Sequence, residues 1–97
     1  MMNSRDFKKE LPLYMQTGRQ DAANAMDPNE IRDALGDAPT AGAIKKWLLD
    51  ELSVADMEGT LEFPEEASEA QKKELLSLWA DGWASYAANY FQQDKRR

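Results

Sequence analysis

Cysteine and histidine are both absent from this chain of 97 residues. Without cysteine there is no disulfide framework and no thiolate nucleophile. Without histidine, the Ser-His and Cys-His pairs that activate many enzymatic nucleophiles are excluded too. The chain has no glycine-rich phosphate loop, and residues 27–37 fail as a calcium loop because Ile31 and Arg32 occupy positions that need an oxygen ligand and a glycine. We therefore expect a protein that is not an enzyme and that has no cofactor and no metal site.

Long apolar runs are also missing, so we expect no membrane-spanning segment. The first six residues do not join a basic segment to an apolar stretch, and we therefore expect no secretory signal and a cytoplasmic location. The hydrophobic content of 42% fits a folded protein, and the length fits a single helical domain over residues 1–97.

The first quarter of the chain has helical spacing with two interruptions. Ser4 is the predicted N-cap of a first helix. Pro12 removes a backbone donor, which predicts a kink or a break there, and Gly18 is a predicted stop. Residues 20–26 are alanine-rich and predict further helix.

Three more helix starts are readable from capping residues. Asp27 followed by Pro28 begins a second helix, which Gly36 ends in a left-handed conformation. Thr40 caps a third helix. Residues 64–71 begin a long C-terminal helix that is predicted to run to about Gln92.

Residues 58–63 alternate between polar and apolar side chains, the period of a β-strand. A strand here would leave an edge open to a partner, whereas an extended loop would pack Leu61 and Phe63 on the helices. The predicted fold is mainly α: a compact bundle of four to five helices with a long C-terminal helix, and with one short strand or extended segment at 58–63 as an open alternative.

Acidic residues are concentrated in one stretch of the chain. Residues 50–69 contain eight carboxylates and no lysine or arginine, giving a formal charge of −8, while the whole chain carries −6. Such a segment repels nucleic acid and attracts basic surfaces. It is interpreted in three ways: a docking surface for a basic protein, a mimic of a phosphate backbone, or a solvated loop followed by an acidic helix start. The candidate partner-binding carboxylates are Glu58, Glu62, Glu65, Glu66 and Glu69.

The C-terminal helix contains five of the nine aromatic residues. Most of its apolar side chains are expected to form the core, but a second apolar face would offer a binding or dimerisation surface. Small residues such as Gly82 would let another helix approach closely. The candidate partner-binding aromatics are Trp83, Tyr90 and Phe91.

These features favour a small acidic binding module, an inhibitor or adaptor of a larger protein with a basic surface. Phages and mobile elements use proteins of this general type against host nucleic-acid machinery. One alternative is a homodimer built on the aromatic helix. Another is an acidic helix-turn-helix regulator over residues 31–47, although direct nucleic-acid binding is not expected because only Lys45 and Lys46 are offered to phosphates.

Overall fold

The computed structural model describes residues 1–95 and assigns five helices to them, with no strand in that range. The helices are α1 (Ser4–Ala25), α2 (Pro28–Leu35), α3 (Ala41–Glu51), α4 (Val54–Leu61) and α5 (Glu69–Lys95). The mainly α fold with a long C-terminal helix is therefore confirmed. The molecule measures 46 × 22 × 20 Å, and α5 runs along its length at the centre of the packing.

The first helix is longer than the sequence signals predicted. Asn3, and not Ser4, is the N-cap, because its side chain accepts a hydrogen bond from the Asp6 amide at 2.9 Å. The predicted break at Pro12 is wrong: α1 continues through it. Lys8 and Pro12 are both exposed, so water can satisfy the Lys8 carbonyl that loses its partner. The predicted stop at Gly18 is also wrong, since this glycine is buried inside α1.

Gly18 and Gly82 lie where α1 and α5 come closest. A Cβ on Gly18 would be 2.9 Å from the Trp83 backbone nitrogen and closer still to the Trp79 carbonyl oxygen. A Cβ on Gly82 would meet the backbone of α1 in the same way, near Met15. The predicted close approach of another helix to Gly82 is thus made by α1 of the same chain.

The capping signals for the middle helices are confirmed. The Asp27 side chain accepts from the Asn29 amide at 3.0 Å, with Pro28 at the first helical position. Gly36 ends α2 with a φ of 95°, a region that favours glycine, although its ψ of −173° is not that of a left-handed helix. The Thr40 side chain accepts from the Ala43 amide and begins α3.

The strand and the extended segment offered as alternatives for 58–63 are both wrong, because residues 58–61 belong to α4. A capping box begins the helix: the Asp56 amide donates to the Ser53 hydroxyl at 3.2 Å, and the Ser53 amide donates to the Asp56 carboxylate at 2.9 Å. Val54, Met57 and Leu61 have helical spacing and are all buried. This stripe, which starts before residue 58, overrides the local alternation.

Contacts along α5 give the directions of its neighbours. Met2, just before α1, bonds to Gln71 in the first turn of α5, and Gly18 lies against Gly82 farther along, so α1 and α5 run in the same direction. Lys45 of α3 pairs with Asp81 at 2.9 Å, whereas the end of α3 lies beside Leu76. Helix α3 is therefore antiparallel to α5, and α4 returns the chain to the start of α5.

Candidate interaction surface

The five candidate glutamates occupy α4, its C-terminal end, the connection to α5 and the first residue of α5. We call them the glutamate group: Glu58, Glu62, Glu65, Glu66 and Glu69. All five are exposed. The structure therefore presents every one of these carboxylates to solvent, as a docking surface requires.

The chain that carries the glutamate group is fixed at both ends. Glu62 ends α4 in the left-handed conformation, with φ 50° and ψ 55°. Before α5, the Ser68 amide donates to the Gln71 side chain at 3.0 Å, and the Gln71 amide donates to the Ser68 hydroxyl at 3.2 Å. The Gln71 side chain also bonds to Met2: its NH₂ group donates to the Met2 carbonyl at 2.9 Å, and its oxygen accepts from the Met2 backbone amide at 3.1 Å. These bonds tie the connection to both long helices.

Tyr14 anchors the end of α4 beneath Glu62. Its hydroxyl donates to the Leu61 carbonyl at 3.4 Å, and its ring stacks on Phe63 with centroids 5.9 Å apart. Burial raises the pKa of Tyr14, and the negative charges of Glu10 and Glu62 raise it further. The phenol therefore remains a neutral hydrogen-bond donor beside Glu62.

Lys72 compensates only part of the glutamate group. Its Nζ lies 3.3 Å from Glu58 and 3.9 Å from Glu69. Within the part of the chain that the structure describes, Glu62, Glu65 and Glu66 have no ion-pair partner. Exposed ion pairs contribute about 0–1 kcal/mol each, so a partner cation can also compete for Glu58 and Glu69.

The three candidate aromatics are not equally accessible. Trp83 and Phe91 are buried, and Phe91 also lies under the Arg32 guanidinium, 5.3 Å from the ring centroid. Tyr90 is 38% exposed. Tyr86, whose spacing predicted a place in the core with Trp79 and Trp83, is equally exposed one turn earlier. Of the predicted aromatics, only Tyr90 reaches the surface of the monomer.

The cations expected for nucleic-acid contact are reduced in number. Lys45 lies 2.9 Å from Asp81, so its charge is engaged within the bundle. Lys46 is exposed and remains available. One free lysine on α3, beside an acidic helix end, is a poor match for a phosphate backbone.

An apolar groove, which sequence reasoning missed, opens where α3, α4 and α5 meet. Its volume is about 440 Å³. The sequence contains one indication of this groove. Leu49 follows Leu48 on α3 but lies outside the stripe that faces α5, so the apolar surface of α3 is wider than one neighbouring helix can cover. We call it the α3–α4 groove; its apolar lining consists of Leu49, Leu52, Val54, Ala55 and Leu76.

Other site types find no support among residues 1–95. No three metal-ligating side chains come together among residues 1–93, whose side chains the structure describes, and no described helix is long and apolar enough to cross a membrane. No family model, no curated protein and no solved structure matches the chain. Function is therefore inferred from the exposed carboxylates.

Proposed function

We propose that this protein is a binding module that docks on a basic surface of a larger protein and acts on it as an inhibitor or adaptor. The observation that carries the proposal is the set of three exposed carboxylates without an ion-pair partner among the described residues: Glu62, Glu65 and Glu66. A protein gains little stability from such a concentration of like charge, whereas a basic partner gains a complementary field.

The mechanism is electrostatic capture followed by close contact. The negative field speeds the encounter with a basic partner, and this effect weakens as salt screens it over about 8–10 Å at 0.10–0.15 M ionic strength. Because the connection after α4 is held by Tyr14 and Gln71, the backbone that carries these carboxylates is held in one conformation. A fixed backbone lowers the ordering cost of binding and favours one partner geometry over others.

A capture experiment tests this proposal. The bait is compared with a triple variant, Glu62→Gln, Glu65→Gln and Glu66→Gln, in affinity capture from lysate with mass spectrometry. The matched control removes the same number of exposed charges from α2 and the loop after it, by Glu30→Gln, Asp33→Asn and Asp37→Asn. We expect partners that the wild type and the control retain and that the triple variant loses.

Salt gives an independent measure of the same mechanism. Affinity for a captured partner should fall steadily as salt rises, and the slope should be smaller for the triple variant because fewer charges are screened. Capture that survives both high salt and the triple substitution would show that recognition does not depend on the glutamate group.

A homodimer is the second candidate, and the exposed pair Tyr86 and Tyr90 favours it. These rings lie one turn apart on α5 and are each 38% exposed. Sedimentation over a concentration series, with a Tyr86→Ser and Tyr90→Ser variant as control, separates the two candidates. A wild type that stays monomeric at high micromolar concentration would exclude a strong dimer.

A further inference from the structure

We propose that the cleft between α2 and α3 binds an arginine-bearing segment of a partner protein, whose guanidinium group stacks on Trp47 between carboxylates of both helices. We call this site the α2–α3 cleft and define it by five of its lining residues: Asp27, Glu30, Asp33, Trp47 and Glu51. The inference goes beyond the proposed function and does not rest on it, because none of these residues belongs to the glutamate group.

Carboxylates line the α2–α3 cleft on both of its walls. Asp27, Glu30 and Asp33 follow one another at three-residue spacing from the N-cap of α2 onward, so each is a surface neighbour of the next. Glu51 lies on the opposite wall, one turn of α3 after Trp47. All four carboxylates are exposed, and no lysine or arginine of the described chain lines the cleft with them. The lining itself therefore carries charge of one sign only.

The carboxylates of the cleft are not neutralised by neighbouring side chains. Within the described range, Glu30, Asp33 and Glu51 have no ion-pair partner. Asp27 caps α2 through one oxygen, its Oδ1, which accepts from the Asn29 amide at 3.0 Å. A cation that enters the cleft therefore displaces no ion pair of the protein itself, and it meets a field complementary to its own charge.

Trp47 distinguishes this cleft from a surface that is only acidic. The side chain packs against the core but is partly exposed, and it lines both the cleft and an adjoining hollow of about 180 Å³ that contains Leu48 and Leu52. The face of an aromatic ring is negative and attracts a cation, and tryptophan does so most strongly. The cleft therefore combines a ring and carboxylates, both of which favour a cation.

This combination favours a guanidinium group over other cations. No three carboxylates among the described residues lie close enough together to hold a metal ion, so the negative charge is spread along the walls. A guanidinium is planar, stacks on aromatic rings and has five N–H donors, so it can contact Trp47 and more than one carboxylate together. A lysine ammonium is a compact, strongly hydrated charge without a flat face. We therefore expect the cleft to prefer arginine to lysine.

The shape of the cleft suits a protein segment better than a free small molecule. Its volume is about 520 Å³, and all four of its carboxylates are exposed to solvent. Sites for small molecules enclose most of the surface of their ligand. An arginine carried by a peptide chain needs no such enclosure, because the neighbouring residues of the chain add contacts along the walls. The hollow beside Trp47, with Leu48 and Leu52, has room for an apolar side chain of the same segment.

The test compares two labelled, blocked peptides of equal charge by fluorescence anisotropy at low salt. One alternates glycine with arginine and the other alternates glycine with lysine. A site that recognises charge alone, such as the glutamate group, binds the two peptides with similar affinity. We expect the arginine peptide to bind about fivefold more tightly, because only a guanidinium group can stack on Trp47 while it contacts the carboxylates.

Two matched charge variants locate the binding site. The cleft variant removes three lining carboxylates: Glu30→Gln, Asp33→Asn and Glu51→Gln. Its control removes three exposed carboxylates that line neither the cleft nor the adjoining hollow: Asp37→Asn, Asp50→Asn and Glu74→Gln. We expect the cleft variant to weaken the arginine peptide about tenfold and the control to change its binding about twofold or less. Both variants keep the glutamate group intact, so a loss in the cleft variant alone does not bear on the proposed function.

Trp47 supplies a readout that separates stacking from charge. Trp47→Leu retains every carboxylate of the cleft, so it should bind the arginine and lysine peptides with similar affinity. Should this variant fold poorly, the indole Nε1–H signal of Trp47 in the wild type gives the same information during peptide titration. A larger shift of that signal with the arginine peptide than with the lysine peptide supports the inference.

The remaining outcomes overturn it. Equal binding of the two peptides by the wild type, or amide shifts confined to the glutamate group, would remove the cleft as a site and leave the proposed function standing. An arginine preference that persists in the cleft variant would place recognition elsewhere. A blocked single arginine that binds as tightly as the peptide would make the ligand a small guanidinium compound and exclude the partner segment.

Discussion

Replacing Gly82 by alanine tests the close contact between α1 and α5, on which the fold depends. The added Cβ would lie 2.9 Å from the Met15 carbonyl carbon and 3.2 Å from the Arg19 nitrogen, and closer still to the Met15 oxygen. All three atoms are backbone, so no side chain can rotate away to make room. The two helices must separate, and the packing on both sides of the contact must shift with them.

The expected size of the effect follows from two opposing terms. Glycine to alanine inside a helix ordinarily stabilises by about 1 kcal/mol. Extra volume in a packed contact costs about 1–3 kcal/mol, and a clash with backbone belongs at the upper end of that range. We therefore expect Gly82→Ala to lower the free energy of unfolding by about 1–2 kcal/mol. Each kcal/mol lost should lower the Tm by about 4–8 °C.

Gly59→Ala is the matched control, measured by urea denaturation with circular dichroism. Gly59 is helical and exposed, and a Cβ there would have no neighbour within 4 Å. The free energy of unfolding of this variant should be higher than that of the wild type by about 0.5–1 kcal/mol. Gly18→Ala should destabilise the protein as Gly82→Ala does. The double variant should lose less free energy of unfolding than the two single variants added together, because helices that have already separated accept the second methyl group more easily. A stabilised Gly82→Ala variant would refute the contact.

Three further predictions concern single polar interactions, each measured by urea denaturation. Hydrogen bonds from the Ser53 amide and hydroxyl lower the pKa of Asp56. The contribution of this carboxylate to the free energy of unfolding is therefore complete above the ordinary aspartate pKa and is lost as the pH falls through the lowered pKa. The loss of stability caused by Asp56→Asn should accordingly become smaller in acid. Asp21→Ala leaves the Trp79 indole, which donates to Asp21 at 2.8 Å, without its acceptor and should cost about 1–3 kcal/mol, while Asp21→Asn should retain most of the stability. Burial raises the pKa of Tyr14, so the wild type should lose stability as pH rises past about 10, and Tyr14→Phe should lack that loss.

Three of the five helix starts were predicted correctly because their signals are local. Asp27, Thr40 and the Ser68 to Gln71 pair all use side chains that bond to a backbone group within three residues. No distant partner is needed for such a bond to form, so the sequence alone predicts it. The central position of α5 was also predictable, since no other segment has as many large apolar residues at helical spacing.

Glycine positions were harder to interpret, because their role depends on partners far away in the chain. Gly18 has the same local meaning as Gly36, yet only Gly36 ends a helix. What keeps α1 helical past Gly18 is packing against Gly82, which lies 64 positions later. The start of α4 was missed for a different reason: its signal, the Ser53 to Asp56 capping box, is local, but the alternation of residues 58–63 was interpreted as a strand or an extended segment instead.

The candidate site was predictable in its charges and not in its shape. Exposure of the glutamate group follows from charge, because an unpaired carboxylate is costly to bury. Which aromatics reach the surface depends on where α1 and α3 lie along α5, and the sequence does not set that register. Trp83 and Phe91 are covered for this reason, while Tyr90 is left partly exposed.

The α3–α4 groove exists because α4 is too short to cover what the longer helices leave open. Helices α1 and α5 extend over 22 and 27 residues, whereas α4 has eight. The closest helix contact, at Gly18 and Gly82, lies between the long helices, and Ala55 at the edge of the groove makes no part of it. The residues that pack the two long helices together are therefore different from those that line the groove. Gly82→Ala should therefore lower the free energy of unfolding, whereas Ala55→Arg, at an exposed position of α4, should leave it nearly unchanged.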